Sequence, residues 1–196
     1  VRREMHQYLI ERDCVASHTI VSCGSDTSMP HEEGHGPLHA NQPIIIDCNP
    51  RSASNGYYCD ITRTIVRGTA PTALQRQYEA VLEAQEFAHG MLKPGANGKE
   101  IHASVTEFLD GRGYKTHQVA GKPQGFFHAT GHGFGIEAHE RPHFALKEEY
   151  AQAGNIVAVE PALYYSDTGG VRVEDDYLIT DGDAEQLTTL DKALEV

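Results

Sequence analysis

With 196 residues, 39% of them hydrophobic and 22% charged, the chain is long enough for one domain with a real core and is not of disordered composition. Sixteen basic against 28 acidic residues give a net charge of −12, which argues against nucleic acid or an anionic membrane surface as partner. No apolar run approaches the about 20 residues that span a bilayer, no signal peptide opens the sequence, and Cys14, Cys23, Cys48 and Cys59 form no CxxC pair, so the reading is of reduced thiols in a cytoplasmic protein.

Residues 1–12 carry Val1, Met5, Tyr8 and Leu9 at helical spacing, and a first residue already on a helix leads to the expectation that the domain extends upstream of Val1. Residues 30–43, rich in Gly, Pro and His, read as a loop. Residues 44–48 and 57–66 are rich in β-branched and aromatic side chains and flank a turn signal, Asn55-Gly56, which predicts an antiparallel hairpin. Thr72 then begins a long helix, with Thr72 and Gln75 as a capping box. Its apolar face is Leu74, Tyr78, Val81, Ala84, Ala88 and Met91, and Pro94-Gly95 ends it. A second helix covers residues 98–110, with Ile101, Val105, Phe108 and Leu109 inward and Gly111 as terminator. Residues 156–165 and 171–179 flank Gly169-Gly170 and predict a second hairpin. The order is a rough duplication, helices then a hairpin, in which the first half lacks one helix.

Four carboxylates sit on these hairpins. Asp47 and Asp60 lie equidistant from a turn centred between Ala53 and Ser54, which predicts that they face each other across the strands. Glu160 and Glu174 lie equidistant from Asp167 in the same way. One facing acidic pair is commonly a solvated accident. Two pairs, each on an otherwise apolar hairpin, would be costly to bury without cations. Four carboxylates and an imidazole suit divalent Mn, Co, Fe or Zn better than a thiolate-loving metal. The imidazole comes from residues 131–140, where His132 lies between Gly131 and Gly133, glycines expected to let the backbone approach a ligand. His128, His132, His139 and His143 fall within 16 residues. His6, His18, His89, His102 and His117 read as helix or surface histidines, and His35 and His39 as loop residues. Cys48 and Cys59 adjoin the aspartates, but strand alternation turns them to the opposite face.

The segments Asp60-Ile61-Thr62-Arg63-Thr64, residues 131–140, Val159-Glu160-Pro161 and Gly170-Val171-Arg172-Val173-Glu174-Asp175 resemble the signature segments of the pita-bread metallopeptidases. The versions here are similar to Xaa-Pro dipeptidase (prolidase) and aminopeptidase P rather than methionine aminopeptidase, and the likeness runs over residues 22–180. It implies an α+β pita-bread (creatinase/aminopeptidase) fold, with two pseudo-symmetric αβ halves around a curved antiparallel sheet and the first helix absent. On this reading residues 1–196 are an N-terminally incomplete catalytic domain.

The resemblance further implies that Asp47, Asp60, His132, Glu160 and Glu174 ligate two divalent metal ions, with Asp60 and Glu174 bridging them. Manganese is the first expectation and cobalt, zinc or iron are the alternatives. Glu160 would be the general base, His139 would bind the substrate carbonyl, and His31, 16 residues before Asp47, matches the family's substrate histidine. His128 and Arg172 complete the substrate-binding set. Phe126, Phe127, Phe134 and Tyr164 are the candidate walls of a proline pocket. The implied reaction is hydrolysis of the bond before proline in short proline-containing peptides, as a dipeptidase or as an aminopeptidase, with a homodimer left open.

Three departures from the family pattern stand out. The Asp47–Asp60 separation of 13 is two longer than usual, Ala162 replaces a glycine after Glu-Pro, and His143 stands where some prolidases carry an arginine that grips the substrate carboxylate. The last bears on dipeptide specificity. A catalytically silent peptide-binding module is the reading from another class, and a creatinase-like hydrolase a third. Both typically lack the ligand set present here.

Overall fold

Alternating and 3.6-residue apolar patterns fold into sheets and helices in the expected order, with additions. The computed structural model describes residues 1–196, with the side chain of Ser17 outside the described set. The elements are α1 (Arg2–Ile10), β1 (Cys14–Cys23), a 3-10 turn (Gly24–Ser28), β2 (Ile44–Ser52), β3 (Ile61–Ile65), α2 (Thr72–His89), α3 (Gly98–Gly111), β4 (His117–Val119), β5 (Lys122–Gln124), β6 (Gly131–Gly133), β7 (Glu140–Phe144), β8 (Ile156–Val159), β9 (Ala162–Tyr165), β10 (Gly169–Arg172), β11 (Asp175–Leu178) and β12 (Glu185–Gln186). Strands β1, β2 and β3 form one sheet in that order, and β12, β11, β8, β6 and β7 form another. An antiparallel bridge between Thr62 and Glu174 joins the two.

The core lies in the second half. Leu74, Tyr78, Val81, Ala84 and Ala88 of α2 and Ile101, Val105 and Leu109 of α3 are buried with Val157, Val159, Leu163, Val171, Val173 and Tyr177. Full burial of each such aliphatic or aromatic side chain stabilises by about 1.5–3 kcal/mol. Met91 and Phe108 pack against this core from its edge. Helix α1 lies against β1 and buries none of its described residues.

Several expectations need correction. Strand β1 was not anticipated, nor were the short strands β4 to β7 and β12. Helix α2 ends at His89, ahead of Pro94-Gly95. The capping box does not form: Pro71 is the N-cap and makes no side-chain capping bond, and Gln75 donates instead to Glu195 at 3.3 Å. A proline at the N-cap has no N–H for the reciprocal bond of a capping box.

The two long strands expected over 156–165 and 171–179 are each broken, at Glu160-Pro161 and at Val173-Glu174. Pro161 cannot donate to the ladder. The carbonyls freed at the break are taken by buried Gln85, whose amide donates to Val159 O and Val173 O, both at 3.1 Å. Gln77, two turns earlier on α2, donates to Leu163 O and Gly169 O of the separate β9–β10 pair at 2.9 and 3.1 Å. A buried carbonyl left unpaired is costly, so two polar residues on the inner face of α2 are explained by the broken strands they serve.

Candidate active site

The carboxylates reach the site by two different registers. In the first hairpin Asp47 pairs with Thr62 and Cys48 with Ile61, two residues away from the register that would set Asp47 against Asp60. The hairpin turns one residue later than expected, and the Asn49 amide, not Asp47, faces Asp60, donating to Oδ2 at 2.6 Å. A two-residue offset preserves the face, so both aspartates still point the same way. In the second hairpin Val159 pairs with Asp175 and Ala162 with Arg172, which sets Glu160 opposite Glu174 across the break, as the spacing predicts.

His132 arrives on β6, wedged between β7 and β8. Its flanking glycines serve that packing rather than a ligand. A Cβ on Gly131 would overlap the Ala158 carbonyl oxygen, and one on Gly133 would lie 2.6 Å from the Arg141 carbonyl oxygen.

These elements enclose a cavity of about 300 Å³. His31, Asp47, Asp60, His128, His132, His139, Glu160, Arg172 and Glu174 all line it. Donor atoms of Asp60, His132 and Glu174 lie within 4.8 Å of one another, and the three residues are only 5%, 4% and 2% exposed. His132 Nε2 is 3.7 Å from Asp60 Oδ2 and 3.7 Å from Glu160 Oε1. The His139 ring stacks at a tilt against His132, with centroids 4.2 Å apart.

The charges do not balance within the cavity. Four carboxylates face one permanent cation, Arg172, among the described lining residues. Burial, with neighbouring carboxylates adding to it, holds Asp60 and Glu174 well above the usual carboxylate range, and burial pushes Glu160 up to about 7. Burial pulls His132 down to about 4, so its imidazole is neutral and able to ligate. Clustered hard oxygen donors with one neutral imidazole and a deficit of positive charge fit a divalent cation.

Arg172 is buried and spends its donors inside the protein. It pairs with Asp47 Oδ2 at 2.6 Å and donates to Tyr164 Oη at 2.7 Å, Thr62 Oγ1 at 3.2 Å and the carbonyl of Pro30 at 3.2 Å. The hydroxyl protons must then go onward. Thr62 donates to Glu174 Oε2 at 2.6 Å, and Tyr164 to His128 Nε2 at 2.9 Å. His128 therefore carries its proton on Nδ1 and gives it to Ala129 O at 2.7 Å. Burial holds His128 down at about 3, so the ring stays neutral, and its two hydrogen bonds commit both nitrogens to the scaffold.

Some lining residues were not foreseen. Asn49 follows Asp47 by two on one strand, so alternation alone would have placed it on the site face. His18, read as a surface residue, also lines the cavity, from β1 opposite Asn49. That strand carried no recognised turn or motif. His102, another residue read as unremarkable, bonds Thr130 Oγ1 at 2.9 Å and packs on Phe126. The aromatic walls are a correction: Phe126 belongs to the main core, Phe127 packs on Tyr164 in a separate small cluster with Ile20 and Ile45, and the apolar lining is Pro30, Ala129 and Ala138.

The family model for metallopeptidase family M24 matches residues 1–181. The chain is 36% identical over 179 residues to a Xaa-Pro dipeptidase of Pyrococcus furiosus, covering 90% of this chain and 48% of that protein. It is 34% identical over 177 residues to an uncharacterised peptidase of Bacillus subtilis, covering 89% and 47%. Among solved structures, the prolidase of Pyrococcus horikoshii superimposes with a TM-score of 0.85 at 32% identity, over 98% of this chain and 55% of that one. The X-Pro aminopeptidase of Thermotoga maritima gives 0.81 at 29% identity, over 92% and 51%. The chain thus spans about half the length of the relatives it matches.

Proposed function

Because this chain belongs to metallopeptidase family M24 and has its pita-bread fold, we propose that its cavity is the active site of a dinuclear-metal exopeptidase that cleaves the bond before proline in short peptides. The observation that carries this is the convergence of Asp60, His132 and Glu174 donors within 4.8 Å at the floor of a cavity that Asp47 and Glu160 also line. On this reading those five residues would hold two divalent ions, manganese first. Bound cations supply Lewis acidity toward a carbonyl oxygen and toward water.

The chain's own residues do the rest. Glu160 is the carboxylate that would accept and return a proton at its oxygens. His139, lowered by burial and then by neighbouring histidines, is a neutral imidazole that donates to the substrate carbonyl. His31 orients the substrate from a loop whose Pro30 carbonyl is pinned by Arg172. Arg172 and His128 act by fixing the site, since their polar atoms are already bonded to protein. Free thiols at all four cysteines suit a reducing compartment such as the cytoplasm, and no described helix is long and apolar enough to cross a membrane.

The aminopeptidase alternative has an observation in its favour. A dipeptidase grips a free carboxylate beside the scissile bond, yet the one arginine lining the cavity is committed, and His143 pairs with Glu149 at 3.0 Å. Exhaustive chelation followed by reloading with Mn(II) or Co(II), assayed on Ala-Pro and Ala-Pro-Ala, tests both. Activity that vanishes with the metal and returns on Ala-Pro supports the dipeptidase, and return on the tripeptide alone supports the aminopeptidase. Undiminished turnover without metal overturns the reading.

A further inference from the structure

Strand alternation turns Asp175 away from the cavity when Glu174 faces it, and what Asp175 meets on that side is the segment 187–196. Lys192 Nζ lies 2.6 Å from Asp175 Oδ2, and Thr188 donates to Oδ1 at 2.6 Å. Lys192 also donates to Gln85 Oε1 at 2.8 Å, which aims the Gln85 amide at Val159 O and Val173 O. Those are the carbonyls immediately before Glu160 and Glu174. The Lys192 carbonyl is itself held by Tyr78 Oη at 2.8 Å.

Arg63 makes the matching connection from the other hairpin. Its five N–H groups go to Asp191 O, Thr62 O, Glu174 O, Asp175 Oδ1 and Leu190 O, at 2.6–3.1 Å. The tail then pairs with the end of β3, through Val66 N–H to Leu194 O at 2.6 Å and Val196 N–H to Val66 O at 3.0 Å. Residues 187–196 thus touch Arg63 on the strand that follows Asp60 and Asp175 beside Glu174, and they reach the carbonyls before Glu160 and Glu174 through Gln85. They lie past residue 181, where the family match ends.

We propose that this tail is a latch that sets the spacing of the carboxylates, with Lys192 as its positioning residue. The inference rests on the reading of Asp60, Glu160 and Glu174 as ligands. Lys192 acts through Gln85 and Asp175 and touches neither metal nor substrate. Removing its ammonium group leaves the Gln85 oxygen without its donor and Asp175 Oδ2 without its ion-pair partner, and frees the Gln85 amide to turn away from the break. Outer partners of ligands typically contribute about 10–100-fold to metal affinity.

The test is a Co(II) titration of the chelator-stripped full chain, followed by visible absorption, with metal-free melting measured in parallel. Lys192→Met loses about 10–100-fold in Co(II) affinity with an altered spectrum, and Lys192→Arg, which restores charge and donors, stays within about 3-fold of the parent. Leu109→Val, a core change remote from the latch, lowers the melting temperature without moving Co(II) affinity. A folded Lys192→Met protein with the parent's affinity and spectrum overturns the latch alone. If that variant does not fold, Thr188→Val, which at constant shape removes the bond to Asp175 and the one accepted from Asp176 N–H, weakens Co(II) binding by a smaller factor, and unchanged binding overturns the latch. A parent chain that takes up no Co(II) overturns the ligand reading and the latch together.

Discussion

In the β8–β11 half, Glu160 and Glu174 face one another across a gap in the ladder, backed by α2, a Gln85 staple and the C-terminal tail. In the β2–β3 hairpin, Asp47 and Asp60 are offset, each opposite a neutral partner, Thr62 and Asn49. The outer face of that hairpin is an apolar groove of about 360 Å³ lined by Met5, Ile46, Cys48, Ile61 and Ile65 and, from the C-terminal segment, by Leu190, Asp191, Ala193 and Val196. The two arrangements deal with like charge differently. One concentrates repulsion and braces it with buried polar bonds. The other spaces the charges and neutralises one of them with Arg172.

That contrast predicts unequal losses when a charge is removed. Glu174 is nearly fully buried, shares the three-donor cluster and receives the Thr62 hydroxyl, so Glu174→Gln abolishes uptake of both ions. Turnover then falls by at least about 10³-fold, the factor that several kcal/mol of lost charge stabilisation gives. Asp47 lies outside that cluster and is turned toward Arg172. Asp47→Asn therefore keeps one ion and loses the other. Metal content by elemental analysis, read beside turnover, checks the pair, and equal stoichiometry in both variants would erase the distinction between the hairpins.

Next in size is Arg172, a side chain that touches both hairpins at once. It holds Asp47 and Thr62 on one and Tyr164 on the other. Truncation of one partner in a buried pair typically costs about 3–5 kcal/mol, because the other charge is left stranded. Arg172→Met costs that much in denaturant unfolding of the metal-free protein. Arg112→Met, which breaks the exposed pair with Glu83, costs under about 1 kcal/mol. Similar losses for the two would mean that Arg172 does not couple the halves.

How much of this was legible in the sequence follows from the same physics. Period-two alternation and turn spacing were enough to bring Glu160 opposite Glu174, because both strands keep one register through the break. They failed by two residues for Asp47, because the position of the turn within residues 50–56 decides that register and several turns fit the residues there. The motif residues were visible as chemistry. The residues that brace them were not. Gln77, Gln85 and Lys192 interrupt apolar or loop patterns, and their roles depend on strand breaks and a chain end distant in sequence. His18 escaped for a similar reason, since its strand is defined mainly by pairing with β2.

The smallest effect is a pH dependence, and its sign separates protons from metal. Glu160, raised to about 7, binds a proton more readily folded than unfolded. Its contribution to metal-free stability is therefore full below its unfolded value near 4.5 and is lost as pH rises through about 7. Asp60 and Glu174 shift in the same direction. His132, lowered to about 4, has the opposite sign: its contribution is full above 6.5 and is lost as pH falls toward 4. Cations compete with the carboxylate protons but scarcely with His132 near neutrality. Below about pH 7 each pH unit then costs the metal up to one proton displaced from Glu160 alone, about tenfold in affinity or 1.4 kcal/mol. For a chain of this size that is roughly 3–5 °C. The gap in melting temperature between Mn(II)-loaded and chelated protein should be widest at pH 8 and shrink by about that much from pH 7 to pH 6. A gap constant from pH 8 to pH 5 would mean that the facing glutamates keep ordinary acidities, and that their hairpin bears no more electrostatic strain than the hairpin of offset aspartates.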